Sequence, residues 1–439
     1  MIQFTDKLKS WVESANVAGN GFPLQNLPLC VFRRAGTQQV FGIGAGIGDY
    51  IFDLREALHC GLFAGIDSAL ANALIEPVLN AYFTLGQQAE VALRTRLINL
   101  LTAGSEDESN CLAYLVRQDE VEFSLPAVIG DYTDFLTSYN HAYNVGTLFR
   151  PDSPVLSNFS SLPIAYHGRS SSIEVSGAPV YRPNGQFRAS HNSPEILFGP
   201  TRRLDLEMEL GAFIGKGNAR GTPIPVDVAD SHIAGLCILN DWSARDIQSW
   251  ESQPLGPFLG KNFVSTISPW VVSLQALEPY RTAPLMRRPE DPPLQAYLQN
   301  NEDSSLSAFE IFVEVRLRTA RMTASGLQAQ TISKALFSRD SYWTFAQMIA
   351  HHTINGCNLR SGDLLGSGTI SGPGPGTEGS LLELTQGGKL PVHLPAGETR
   401  TFLEDGDEVT LTAFCERPGL PRIGFGECRG IVQAAPKVS

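Results

Sequence analysis

Between residues 204 and 210 apolar and acidic side chains alternate without a break. Leu204, Leu206, Met208 and Leu210 fall on one side and Asp205, Glu207 and Glu209 on the other, the period-two signature of a strand. Residues 311–318 nearly repeat it, setting Val313, Val315 and Leu317 against Glu314, Arg316 and Arg318. Apolar runs at 381–382, 392–394, 409–414 and 431–432, punctuated by Gly379, Gly387 and Gly388, carry the strand-rich pattern toward the C-terminus. Beyond residue 120, helical spacing is confined to residues 131–145, 242–251 and 342–354.

The first part of the chain reads differently. Short apolar runs at 29–32 and 40–43, then a glycine-rich turn through Gly44, Gly46 and Gly48, predict the strands of a small barrel. Helical spacing takes over from 54 to 103, clearest at 87–101, and ends in a polar stretch at 105–110. The pattern divides the chain near residue 118, giving domains of residues 1–118 and 119–439 in a mainly β protein with some α. Two stretches read as loops: 278–294, a surface insertion with five prolines and Arg287-Arg288, and the glycine-rich 362–379. The second lacks the Lys-Ser/Thr ending of a phosphate-binding P-loop.

Composition narrows the function. A chain of 439 residues buries enough surface to fold without a disulfide or structural metal, so a metal here is expected to be functional. Lys and Arg total 33 against 45 Asp and Glu, and the net charge of −12 argues against nucleic acid and anionic membrane as partners. No run of 18 apolar residues is present, and the N-terminus lacks the apolar core of a secretory signal. The seven cysteines form no C-x-x-C pair, which suits a reducing, cytoplasmic setting and a packing role.

Three clusters could carry chemistry. Glu207 and Glu209 leave one strand face together; they either hold a cation or lie on a solvated face. Asp241 ends the apolar run 234–239, placed as a metal ligand or as a helix N-cap. With Arg245 and Gln248 at i+4 and i+7 it offers a ligand beside two oxyanion donors, or an ordinary surface ion pair. His141 stands seven residues after Asp134, on the same helical face if 131–145 is a helix, and is either a general base or a structural histidine. His351-His352 reads as helix surface. The candidate ligands are carboxylates, so Mg²⁺, Ca²⁺ or Mn²⁺ suits them better than structural zinc. Neither a G-x-S-x-G elbow nor a strand-coupled dinucleotide fingerprint is present.

Several long strings in order resemble the fumarylacetoacetase family. They run through 130–135 (GDYTDF), 166–169 (YHGR), 207–209 (EME), 240–248 (NDWSARDIQ), 254–261 (PLGPFLGK) and 367–372 (SGTISG), with 22–28 (FPLQNLP) near the start. The resemblance implies a small N-terminal SH3-like barrel and a C-terminal mixed β-sandwich roll, assembled as a homodimer. It implies Asp134, Glu207, Glu209 and Asp241 as ligands of Ca²⁺ or Mg²⁺, with Lys261 and Ser265 by a second cation position. His141 would activate water, oriented by Glu383, while Arg245, Gln248 and Lys261 hold the oxyanion and Arg150, Tyr166 and Thr369 touch substrate. The implied reaction is hydrolysis of a carbon-carbon bond in a 1,3-diketo acid, 4-fumarylacetoacetate giving fumarate and acetoacetate. Leu136 and Ser252 stand where typical members carry substrate-contacting tyrosines. That departure raises an alternative, a hydrolase or decarboxylase acting on a different β-diketo acid.

Overall fold

In the computed structural model, which describes residues 8–190, 193–299 and 306–438, the alternating segment at 204–210 forms two strands, Leu204–Asp205 and Met208–Ile214. Every residue of the second is buried. It lies inside a seven-stranded mixed sheet, in the order Ile164–Gly168, Tyr132–Leu136, Leu364–Gly366, Met208–Ile214, Ile233–Asp241, Ser265–Ile267 and Ile173–Val175. Leu364–Gly366 runs parallel to Tyr132–Leu136, and Ser265–Ile267 parallel to Ile173–Val175; the other neighbours are antiparallel.

A strand buried on both faces needs a layer on each side. Met208, Leu210 and Ala212 pack into one core with Val313, Val315, Leu317, Val409 and Leu411. Those partners belong to a five-stranded sheet ordered Gln330–Leu336, Phe312–Arg318, Glu408–Cys415, Ile423–Gln433 and Pro179–Tyr181. From the opposite face Phe213, with Cys237, Leu239 and Ile267, joins a second core shared with Val31, Phe52, Leu97 and Leu101 of the N-terminal region. Apolar burial of this kind stabilises at about 25 cal/mol per Å². Glu209 lies on the same strand face as Phe213, near the opposite end of the strand.

The N-terminal region is a five-stranded antiparallel sheet, ordered Leu115–Arg117, Tyr50–Asp53, Gly42–Ile47, Leu29–Arg34 and Val121–Ser124. Helices follow at Leu54–His59, Ser68–Leu74, Asn80–Thr84 and Gln87–Leu101, as the spacing predicts. Gly44 and Gly46 lie within a strand instead of a turn. A Cβ on Gly44 would stand 2.3 Å from Ile51 Cγ2 and 2.7 Å from Phe32 Cε1, so close side-chain packing, not turn geometry, requires glycine there. Val121–Ser124 pairs with Leu29–Arg34, so this sheet runs on past residue 118.

Two helical expectations fail because long-range strand pairing outweighs local spacing, and one expected strand is a helix. Residues 131–145 are not one helix but the strand Tyr132–Leu136, paired to Leu364–Gly366, followed by the helix Tyr139–Phe149. Residues 242–251 begin with the strand Ser243–Ala244, paired to Leu204–Asp205, before the helix Arg245–Glu251. Residues 381–382 belong to the helix Leu381–Leu384, not to a strand. The helix expected at 342–354 is present as Phe345–Thr353, opened by a capping box between Thr344 and Gln347. The proline-rich stretch 278–294 lies against the protein through Arg288, whose guanidinium stands 4.1 Å above the Tyr139 ring.

Candidate active site

Strand register brings the acidic residues together. Gly366 is the Cα partner of both Asp134 and Gly211 on its two sides, and Met208 faces Asn240 across the next pairing. Asp134 from one strand, Glu207 and Glu209 around the start of a second, and Asp241 from the end of a third therefore converge. All four are buried, and each offers an oxygen within 4.8 Å of the others. Gly366 makes room for them: a Cβ there would stand 2.5 Å from Asp134 Oδ1 and 3.1 Å from Glu209 Oε2. Asn240 Oδ1 accepts the Glu207 N–H at 3.0 Å, and the Gly368 N–H donates to Glu209 Oε2 at 3.1 Å.

Two cations serve this group. Lys261 Nζ donates to Asp241 Oδ2 at 2.5 Å and also to Glu207. Arg245 donates through Nη1 to Glu207 Oε1 at 2.7 Å and to Gln248 Oε1 at 3.2 Å, and through Nε to Asp205 Oδ2 at 2.8 Å. Arg245 thus pairs with Glu207 and Asp205, not with Asp241, because Asp241 ends a strand and the helix starts only at Arg245. Ser265, in register with Asp241, donates its hydroxyl to Asp241 Oδ1 at 3.1 Å, and the Tyr166 hydroxyl donates to Oδ2 at 2.9 Å.

His141 sits in the first turn of Tyr139–Phe149, where the Ser138 hydroxyl accepts its N–H at 3.3 Å. Its Nδ1 lies 2.8 Å from Glu383 Oε2, with 10% and 0% of the two side chains exposed. A carboxylate can only accept, so Nδ1 carries the proton and Nε2 is left as an acceptor. Glu383 is itself held by the Ser380 hydroxyl at 2.8 Å, the Ser371 hydroxyl at 3.0 Å and Asn144 Nδ2 at 3.0 Å. Burial pushes the Glu383 carboxyl up, but His141 and the hydrogen bonds outweigh it and hold it below its ordinary value.

Residues 25–126 match the family model described as Fumarylacetoacetase N-terminal, and residues 132–433 that described as Fumarylacetoacetate (FAA) hydrolase C-terminal. This chain belongs to the fumarylacetoacetate hydrolase family. It is 44% identical to "Fumarylacetoacetase" of Arabidopsis thaliana, covering 98% of this chain and 99% of that one. It is 44% identical to "Fumarylacetoacetase" of Homo sapiens, covering 94% and 96%. The solved fumarylacetoacetate hydrolase from Exiguobacterium antarcticum shares the fold, with a TM-score of 0.50 at 15% identity over 93% of this chain and 99% of that one.

The acidic group fits a divalent cation. Asp134 Oδ1 and Glu209 Oε1 are buried and meet no hydrogen-bond donor among the described residues. Burial, then Asp241, pushes the Asp134 carboxyl well above its ordinary range, and burial, then Asp134 and Asp241, does the same to Glu209. Glu207 behaves oppositely: burial would raise it, but Lys261 and Arg245 outweigh burial and lower it. Burial disfavours charge on Lys261, yet Asp241 and Glu207 raise it above an ordinary amine. Lys261 and Arg245 thus neutralise one side of the cluster, and hard oxygen donors on the other stay uncompensated, the condition a divalent ion relieves.

A cavity of about 200 Å³ opens beside Asp241 and Lys261, lined also by Tyr132, Tyr166, Arg169 and Ser265. A larger one of about 440 Å³ lies in the N-terminal region, but its side chains are committed: Arg33 to Glu122, Arg55 to the Val40 carbonyl, Asp53 to the Glu56 N–H.

The other sequence candidates are placed as follows. Thr369 is buried directly after Gly368. Arg150 ends the His141 helix, exposed, 3.4 Å from the Pro154 carbonyl. Leu136 packs beside Ala142, Phe159 and Trp343, and Ser252 caps the Arg245–Glu251 helix, donating its hydroxyl to the Gln248 carbonyl. His351 and His352 are half-buried; His352 Nε2 lies 2.9 Å from Thr133 Oγ1. All seven cysteines are free, and five are buried. Sequence reasoning missed Asp205, Asn144, Ser371 and Ser380. Asp205 has a signal as the third acid of the 204–210 alternation, and Ser371 lies within the 367–372 string.

Proposed function

We propose that this protein is a fumarylacetoacetase: a hydrolase that cleaves the carbon-carbon bond of 4-fumarylacetoacetate to give fumarate and acetoacetate. The observation that carries the reading is the pairing of His141 with Glu383 beside four buried carboxylates, in a chain 44% identical to proteins named for that activity over nearly its whole length.

Asp134, Glu207, Glu209 and Asp241 would hold one divalent cation, Ca²⁺ or Mg²⁺ by donor hardness, with Mn²⁺ compatible with the same oxygens. When bound, such an ion supplies Lewis-acid polarisation of a 1,3-diketone. Glu383 fixes the ring so that His141 Nε2 accepts a proton from water, and the hydroxide adds to the carbonyl carbon. Arg245 holds the oxyanion through Nη2, the one guanidinium nitrogen that is buried and without a partner, since Nε and Nη1 are taken by Asp205 and Glu207. Gln248 and Lys261 contribute beside it. Collapse of the tetrahedral adduct breaks the carbon-carbon bond, the electron pair leaves on carbon conjugated to the remaining carbonyl, and the His141 imidazolium returns its proton there. Arg150, Tyr166 and Thr369 would contact substrate, with Lys261 and Ser265 by a second cation position.

The alternative of a different β-diketo acid is not favoured. The named relatives point to fumarylacetoacetate. Leu136 and Ser252 make ordinary packing and capping contacts in which no buried donor is stranded.

The finer architecture belongs to the same reading: an SH3-like N-terminal barrel joined after Ser124 to a mixed β-sandwich roll, in a cytoplasmic homodimer that binds neither nucleic acid nor membrane. Leu255, Phe258 and Leu259 stand 97%, 64% and 44% exposed close to Lys261, apolar surface that a second subunit would cover. No helix among the described residues is long and apolar enough to cross a membrane.

Cleavage in oxygen-18 water tests the chemistry. Label is expected in a carboxylate of fumarate and none in newly formed acetoacetate; unlabelled fumarate, or no cleavage, overturns the reading.

A further inference from the structure

Asp205 is fully buried, and its four acceptor directions are all used. Oδ2 accepts from Arg245 Nε at 2.8 Å and from the Leu382 N–H at 2.9 Å. Oδ1 accepts from the Leu381 N–H at 2.7 Å and from the Leu206 N–H at 2.8 Å. One carboxylate therefore grips both the guanidinium and the two leading amides of the Leu381–Leu384 helix, which turns Glu383 toward His141.

Each end has a further anchor of its own, Glu207 on Arg245 and Ser380, Ser371 and Asn144 on Glu383, but Asp205 hydrogen-bonds to both ends at once. That helix spans four residues, too short to hold its shape from its own hydrogen bonds. At the other end Asp205 and Glu207 immobilise Nε and Nη1 of Arg245, and this aims the unpartnered Nη2. Glu207 is shared with Lys261, whereas the hydrogen bonds of Asp205 all go to Arg245 and to backbone amides.

We propose that Asp205 is a positioning residue that couples the two halves of the reaction apparatus, fixing the oxyanion-holding arginine and the imidazole-orienting carboxylate in one geometry. The role rests on the hydrolase reading above, in which Arg245 and Glu383 act. Asp205 is buried and its oxygens are taken by protein donors, so its influence passes through its two clients.

The test compares the full chain carrying Asp205→Asn with wild type, Arg245→Lys and Glu383→Gln, and with the two combinations, in steady-state cleavage of fumarylacetoacetate with thermal unfolding recorded alongside. The expected result is a folded variant with kcat about 100-fold lower and KM changed less than about threefold, the pattern of misplaced reacting groups rather than lost binding. Introduced into Arg245→Lys or Glu383→Gln, the same change should cost less than about tenfold, because its client is already impaired. Full multiplication in both backgrounds, or wild-type kcat in the folded variant, overturns the proposal. Should Asp205→Asn not fold, Asp205→Glu keeps the charge but moves the carboxylate out by one methylene. The same kcat-selective loss is expected of it, and wild-type kcat would contradict the role. Activity of the wild type and its loss in His141→Ala are read separately, so a failure of the hydrolase reading appears in those two proteins whatever Asp205 does.

Discussion

His141 Nδ1 and Glu383 Oε2 meet at 2.8 Å although 242 residues separate them in the chain. The contact sets the tautomer, and replacing its acceptor with a group that can also donate releases that constraint. Glu383→Gln is expected to keep the fold and lower kcat by about 10² to 10⁴-fold, the scale seen when the orienting acid of a histidine base is neutralised. Kinetics on a variant with unchanged thermal unfolding check this; a loss confined to KM would contradict it.

The carboxylate cluster makes a prediction about stability without substrate. Asp134→Asn removes one carboxyl from a crowded, mutually repelling buried group, one whose Oδ1 meets no donor, so the chelated variant should unfold at a higher temperature than chelated wild type. Added Ca²⁺ or Mg²⁺ should reverse the ranking. At a hundredfold excess over Kd a bound ion stabilises wild type by about 2.7 kcal/mol, and the variant should gain far less. Melting curves with chelator and with each ion decide it; equal responses in both proteins would rule out Asp134 as a ligand.

Gly366 offers a subtler change at the same place. Its Cβ would enter the space of Asp134 Oδ1, at 2.5 Å, so Gly366→Ala should displace a proposed ligand from inside a buried strand. Cation affinity is expected to fall by more than about tenfold, at least the loss that follows removal of a group behind a ligand. Calorimetric titration with the metal measures it, and wild-type affinity would show that the carboxylate is not where the ion binds.

Much of the candidate site is legible in the sequence. Glu207, Glu209 and Asp241 stood out because period-two alternation and a buried run ending in an acid are local signals. The seven-residue spacing of His141 from Asp134 points to a shared helical face, whereas Asp134 lies on a strand and His141 on the helix after it. The parallel pairing of Tyr132–Leu136 with Leu364–Gly366, over 200 residues away, decided that segment. Glu383 is implied only by the family resemblance, and nothing local to Asp205 beyond its place in the alternation marks its role. Their roles are fixed by partners distant in the chain, which no periodicity encodes.

The proline-rich stretch yields a pH prediction. Asp291 accepts from Arg288 Nη2 at 2.6 Å and from the Tyr342 hydroxyl at 2.8 Å. Burial pushes its carboxyl up, but these hydrogen bonds outweigh it and bring the pKa down from 3.8 to about 2. A carboxyl depressed by folding stabilises the native state above its unfolded pKa, and that contribution is lost as pH falls through the folded value. Asp291→Asn should therefore cost about 1–3 kcal/mol in urea unfolding near neutral pH, and the difference should shrink between about pH 4 and pH 2. A gap that is constant with pH would contradict the assignment.

The most direct test of the whole account is cleavage of fumarylacetoacetate by the purified full chain in three states: chelated, reloaded with Ca²⁺ or Mg²⁺, and reloaded but carrying His141→Ala. Cleavage that is absent under chelation, restored by the ion, and lost by about 10²-fold or more in the variant is the predicted result. Cleavage that persists in chelator, or in the reloaded protein without the imidazole, would contradict a site built from four carboxylates and one histidine base.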